Sequence, residues 1–233
     1  ARTRIGVMGV LTALILPPGV LGDEIRDLTW FLRRLRTLEH LPEIEPGRTA
    51  LVSTWDRTGG EEDDRDFKRI EGRYNILLDA QGPGCVHRLF VAGLGEEVAG
   101  TRIQFIFDGA DAPLVDIPVE QLFDDRHGAI PYPLVFRKTY PGLLLPIPYA
   151  RHCRIQLFNE RSDHWGRNWQ IAYTTYPPGT NVRTLTWPFT EGETEEMQAV
   201  SARWLEAEKT PPSAPAQWTG EQQKVVAPGE SIE

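Results

Sequence analysis

The sequence predicts an all-β jelly-roll sandwich carrying an N-terminal helix and a C-terminal connector helix. Two observations point there. From residue 49 to about residue 176 the apolar residues recur with a period of two, in short runs rich in β-branched and aromatic side chains. The chain also contains 21 Gly and 19 Pro among 233 residues, enough punctuation for many turns and too much for a helical bundle.

The predicted strands are "NILLDA", "CVHRLFVAGL", "TRIQFIFDG", "PLVDIPV", "CRIQLFNE" and "WQIAYTTY". Turn signals separate them at 81–84 ("QGPG"), 108–113 ("DGADAP") and 140–142 ("YPG"). In "TRIQFIFDG", Ile103, Phe105 and Phe107 alternate with Arg102, Gln104 and Ile106, as a strand with one face on a core requires. Many short strands without helices between them suit a sandwich or jelly roll.

Helical periodicity flanks this region. Over residues 24–41, Leu28, Phe31, Leu32, Leu35 and Leu38 recur at steps of three and four, with four arginines expected on a solvated face and Pro42 and Pro46 closing the segment. Over 190–209, Thr190 and Glu193 have capping-box spacing, and Met197, Val200 and Trp204 would line one face.

The expected organisation has five parts. Residues 1–22 read as a secretory signal, with a basic start, a short apolar run and small residues after Pro-Pro; a buried N-terminal helix is the other arrangement that run allows. Residues 23–48 are a helix and lead-in, 49–189 the jelly roll, 190–220 a connector helix with a Pro-rich linker, and 221–233 the start of a truncated second jelly roll. Export and a secreted or periplasmic location follow from the signal.

Net charge is −8 with a pI of about 5.2, which disfavours nucleic acid and anionic membrane as partners, since both need a basic footprint; a neutral sugar fits. Cys85 and Cys153 lie far apart without metal-ligand spacing, as one disulfide or as two inert core thiols. No metal and no cofactor is expected. The acidic run 61–64, with Asp66, lacks the ligand spacing of a calcium loop and reads as a solvated flank. His87 and His152 fall inside strand patterns; His127, in the loop "DDRHG", is the most plausible functional histidine. Asp108 reads as a turn residue. With 33 acidic residues, no catalytic carboxylate pair can be nominated from spacing.

The stretch "STWDRTGG" (53–60) stands apart. Trp55 offers a flat apolar face of the kind sugars stack on, Asp56 an acceptor and Arg57 a forked donor; Gly59 and Gly60 permit unusual backbone angles. On this chemistry alone, a sugar contact and an Asp-Arg pair stitching a loop are equally supported.

"STWDRTGG", "LLDAQGPGCVHRLFV", "RIQFIFDGADAPLVDIPVEQLF", "LLLPIPYARHCRIQLFNE" and "WQIAYTTY", in that order, resemble the N-terminal half of glycoside hydrolase family 172. The resemblance covers roughly residues 25–233 and implies the first half of a double jelly roll that assembles through trimeric rings. It implies a retaining hydrolase of α-linked furanosides, fructofuranosides or D-arabinofuranosides, working through two glutamates in the second jelly roll. No position here matches those glutamates, so the chain alone is expected to be inactive. The family's "DRTGG" loop carries over as a candidate substrate rim: Trp55, Asp56, Arg57 and Thr58. Glu61 stands where the family usually has Asn, which puts the sugar preference in question. The alternative is a non-catalytic carbohydrate-binding or capsid-like structural jelly roll.

Overall fold

The alternation read from the sequence builds two facing sheets in the computed structural model, which describes residues 24–60, 69–94, 98–138, 140–160 and 168–209. In chain order the elements are α1 (Leu28–Arg34), β1 (Arg48–Ser53), β2 (Arg69–Glu71), β3 (Tyr74–Gln81), β4 (Gly84–Phe90), β5 (Arg102–Phe107), β6 (Val115–Pro118) and α2 (Val119–Leu122). They continue with β7 (Val135–Phe136), β8 (Gly142–Leu143), β9 (Ile147–Tyr149), β10 (His152–Phe158), β11 (Gln170–Thr175) and α3 (Glu191–Lys209).

One sheet runs β1-β11-β4-β8-β7, with β9 also on β4; the other runs β2-β3-β10-β5-β6. The pairs nest: β1 with β11, β3 with β10, β4 with β9 and β5 with β6, all antiparallel. A long hairpin rolled up on itself gives this nesting, which is the jelly-roll topology. Strands β1, β2, β7, β8 and β9, which the sequence reading did not single out, complete the sheets, with β1, β2 and β7 at their edges.

Ile103, Phe105 and Phe107 are buried, as their alternation predicts, and share one core cluster with Val86, Leu89 and Ile171 of the opposite sheet. Gln104, which alternation places on the other face, is buried as well. The Gln156 amide donates to Gln104 Oε1 at 2.7 Å, and Gln104 Nε2 donates to Asp116 Oδ2 at 3.1 Å. Burial of these amides is tolerable because they bond to each other.

The C-terminal helix follows its sequence. Glu193 N donates to Thr190 Oγ1 (3.3 Å) and Glu193 Oε2 accepts from Thr190 N (2.8 Å), closing the capping box. Met197 and Val200 are buried in the core, and Trp204 Nε1 donates to Leu35 O at 2.9 Å.

The N-terminal helix is shorter than predicted. It covers Leu28–Arg34 rather than 24–41, with Asp27 as its cap accepting from Trp30 N at 3.0 Å. Arg26, before the cap, bridges to Val182 instead of joining the helix. Leu38, counted into the helical stripe, is 78% exposed. The expected solvated arginine face is corrected in part: Arg33 is exposed, but two of the four are not. Arg26 and Arg34 are both largely buried; each pairs with Glu45 at 2.8 Å, and their guanidiniums lie 4.9 and 4.6 Å from the Trp30 ring centroid. Glu43 and Glu45 fold back onto the helix, and that return traps the two cations between carboxylates and an aromatic ring. The predicted signal, the acidic flank 61–64, Asp66, the Pro-rich linker and the start of a second sandwich lie outside the described residues.

Candidate functional site

Residues 53–60 leave the end of β1 at the edge of its sheet, since among the described residues β1 pairs only with β11. Thr54 fastens the exit. Its backbone N donates to Trp169 O, its Oγ1 accepts from Trp169 N, both at 3.0 Å, and both residues are buried. The next residue, Trp55, is 53% exposed.

Asp56 then turns the chain. It is buried, and its Oδ1 accepts from Thr58 N at 2.8 Å and from Thr58 Oγ1 at 2.6 Å. Gly59 N donates to Asp56 O at 3.2 Å. Gly59 sits at φ +81°, in the left-handed region where glycine costs least. A β-carbon on Gly60 would lie 2.5 Å from Asp56 Oδ2, so this position has room for hydrogen alone. The two glycines are therefore required by the turn that Asp56 organises.

Arg57 folds back over the turn. Its Nη2 donates to Ser53 O at 3.2 Å, its Nη1 to Trp55 O at 3.5 Å, and its guanidinium carbon lies 5.3 Å from the Trp55 ring centroid. Beneath it is a cavity of about 170 Å³ lined by Val52, Ser53, Thr54, Leu77, Trp169 and Arg57. That volume is below the ~300 Å³ at which small-molecule pockets usually begin. It can receive part of a small ring, against apolar walls and under a cation.

The four nominated residues thus lie on one turn, with two roles. Trp55 and Arg57 form its exposed side; Asp56 and Thr58 bond to each other and fix its shape. The sequence signal for the second role was the Asp-x-Thr-Gly spacing, which suits a side-chain-capped turn.

The histidines lie elsewhere. His87 is half-buried, with Nε2 2.9 Å from Thr174 Oγ1, and burial lowers its pKa. His152 Nε2 lies 2.7 Å from Asp79 Oδ1. His127 is exposed; its backbone N donates to Asp124 Oδ1, whose bonds from His127 and Arg126 hold the Asp124 carboxyl below its usual range. Asp108 occupies the left-handed region at φ 57° and caps the backbone N–H groups of Arg151 and His152, as a turn residue should. Cys85 and Cys153 are free thiols, both buried, on opposite sheets. Burial pushes both thiols well up, as inert core residues require. Among the described residues, no three His, Cys, Asp or Glu side chains gather to hold a metal ion, and no helix is long and apolar enough to cross a membrane.

A family model described as the GH172 first beta-sandwich domain matches residues 45–193. That span contains every strand of both sheets and the whole 53–60 turn. No curated protein matches the chain.

Proposed function

The chain belongs to glycoside hydrolase family 172, and from that premise we propose that it is the sugar-holding first sandwich of a secreted, retaining hydrolase of α-linked furanosides. The observation that carries this reading is the built turn at 53–60: an exposed Trp55 ring and the Arg57 guanidinium held together by Asp56 and two required glycines. A flat aromatic face beside a forked donor fits the apolar face and the hydroxyls of a sugar ring.

Retention needs one carboxylate as nucleophile and a second as acid and base, about 5–5.5 Å apart. The turn's own carboxylate is engaged in shaping it: Asp56 Oδ1 accepts two bonds from Thr58. On this reading the turn orients the sugar, and two glutamates on a second sandwich break the bond. The small cavity agrees, because a site of this size needs further walls. Export follows from the signal pattern of residues 1–22, and assembly into trimer-based rings is the family's arrangement.

The test is turnover of 4-nitrophenyl α-fructofuranoside and α-D-arabinofuranoside by a protein comprising both sandwiches, with the anomer followed by NMR. The expected result is a retained α product, with at least tenfold loss on Arg57→Ala. Inertness on both furanosides contradicts the proposal. The engagement of Asp56 also favours a second reading, a saccharide-binding sandwich without turnover. That reading predicts binding by the same protein with no product on any furanoside.

A further inference from the structure

Helix α1 covers only part of the outer face of the six-stranded sheet. Phe31 packs against Cys85 and Tyr176 there, and lies 6.3 Å from the His87 ring. Further along the strands, the register runs Ser53↔Gln170↔Phe90↔Gly142↔Phe136. Their chain neighbours Val52, Ile171, Leu89, Leu143 and Val135 pack in or against the core. Alternation therefore puts Ser53, Gln170, Phe90 and Phe136 on the opposite, outer face. A β-carbon on Gly142 would run into the Phe136 ring, so Gly142 lets that ring lie down on the sheet.

The row next to it is Leu51↔Ala172↔Arg88. Arg88 Nη2 donates to Gln170 Oε1 at 3.4 Å. Tyr140 joins Phe90, with ring centroids 5.8 Å apart and planes 43° apart. Tyr140 is 53% exposed and Leu51 55%. Trp55 follows Ser53 by two residues, just past the β1 end of this row.

We propose that the strip is an oligosaccharide platform, running from Trp55 across Arg88 and Gln170 to Phe90 and Tyr140. The proposal rests on the reading of Trp55 as a sugar contact and extends it from one ring to a chain. Two strand spacings, roughly 10 Å, separate Ser53 from Phe90, more than one sugar ring spans. Aromatic faces at both ends can stack on sugar rings. The Arg88 guanidinium and Gln170 amide between them supply donors and an acceptor for hydroxyls. A second copy of the chain is a poorer occupant. The strip is about two residues wide and bounded by α1, whereas a stable protein interface needs roughly 800 Å² per partner. Two chains of net charge −8 also repel, and a neutral glycan does not.

The test is calorimetric titration of the full chain with two ladders of one to five units, α-D-arabinofuranosyl and α-fructofuranosyl oligosaccharides. Tyr140→Ala, Arg88→Ala and Trp55→Ala are compared with the parent, and sedimentation is run on each. On one ladder the affinity should rise at least tenfold from one unit to four. Tyr140→Ala and Arg88→Ala should abolish the rise and leave the single-unit affinity unchanged; Trp55→Ala should weaken every length. Single-unit binding without a rise overturns the platform and leaves the Trp55 rim standing. No binding on either ladder overturns both. A change in sedimentation on Tyr140→Ala, with the length dependence intact, assigns the face to a second copy and overturns the proposal.

Discussion

The Arg57 guanidinium lies over the Trp55 ring, 5.3 Å from its centroid, while donating to the carbonyls of Ser53 and Trp55. Lysine cannot reproduce that planar fork. Arg57→Lys should therefore loosen Trp55, giving lower steady-state anisotropy of its fluorescence against a Trp55→Phe reference. The stability loss should stay within about 1 kcal/mol, because an exposed cation–π contact is worth about 0.5–1. Unchanged anisotropy would separate Arg57 from the ordering of Trp55.

Gly60 tests the turn itself. Its missing β-carbon would stand 2.5 Å from Asp56 Oδ2. Gly60→Ala should displace the carboxylate and cost about 1–3 kcal/mol, the usual range for overpacking. Chemical denaturation measures this, with Gly192→Ala as control, because a β-carbon at Gly192 meets nothing within 4 Å. Equal effects at the two sites would contradict the crowding at Asp56.

His87 predicts an acid-side loss of stability. Burial lowers its pKa in the folded protein below the ordinary value near 6.5. Between those values the unfolded chain binds a proton that the native chain refuses, so stability falls as pH drops below about 6.5. His87→Gln should flatten that slope in urea titrations at pH 7.5 and 5.5. An unchanged slope would assign it to other groups.

The thiols give a fourth readout. With Cys85 and Cys153 buried and their ionisation suppressed, the native protein should resist a thiol-specific reagent. Two equivalents should react after unfolding in guanidinium. Fewer than two without reductant would mean an oxidised pair.

Much of the sandwich was legible where apolar residues alternate along a strand: Ile103, Phe105 and Phe107 announce β5 by alternation alone. The same logic misjudged Gln104, whose burial depends on Gln156 and Asp116 arriving from other strands. Periodicity also overran α1, since Leu38 keeps the helical step after the chain has turned away. The buried pairing of Arg26 and Arg34 was hidden because their partner Glu45 lies 19 and 11 residues away. At the site, residue types marked the turn, but the inward engagement of Asp56 is a matter of rotamer and backbone that composition does not carry. The Ser53–Gln170–Phe90 row needs a register between strands distant in sequence.

The most direct measurement is a titration of the chain with methyl α-D-arabinofuranoside and methyl α-fructofuranoside, read by calorimetry beside Trp55→Ala and a pyranoside control. The account predicts saturable binding of at least one furanoside, weakened at least tenfold by Trp55→Ala with the unfolding temperature unchanged, and little response to the pyranoside. Equal binding by the parent and Trp55→Ala, or no furanoside binding by either, would contradict it.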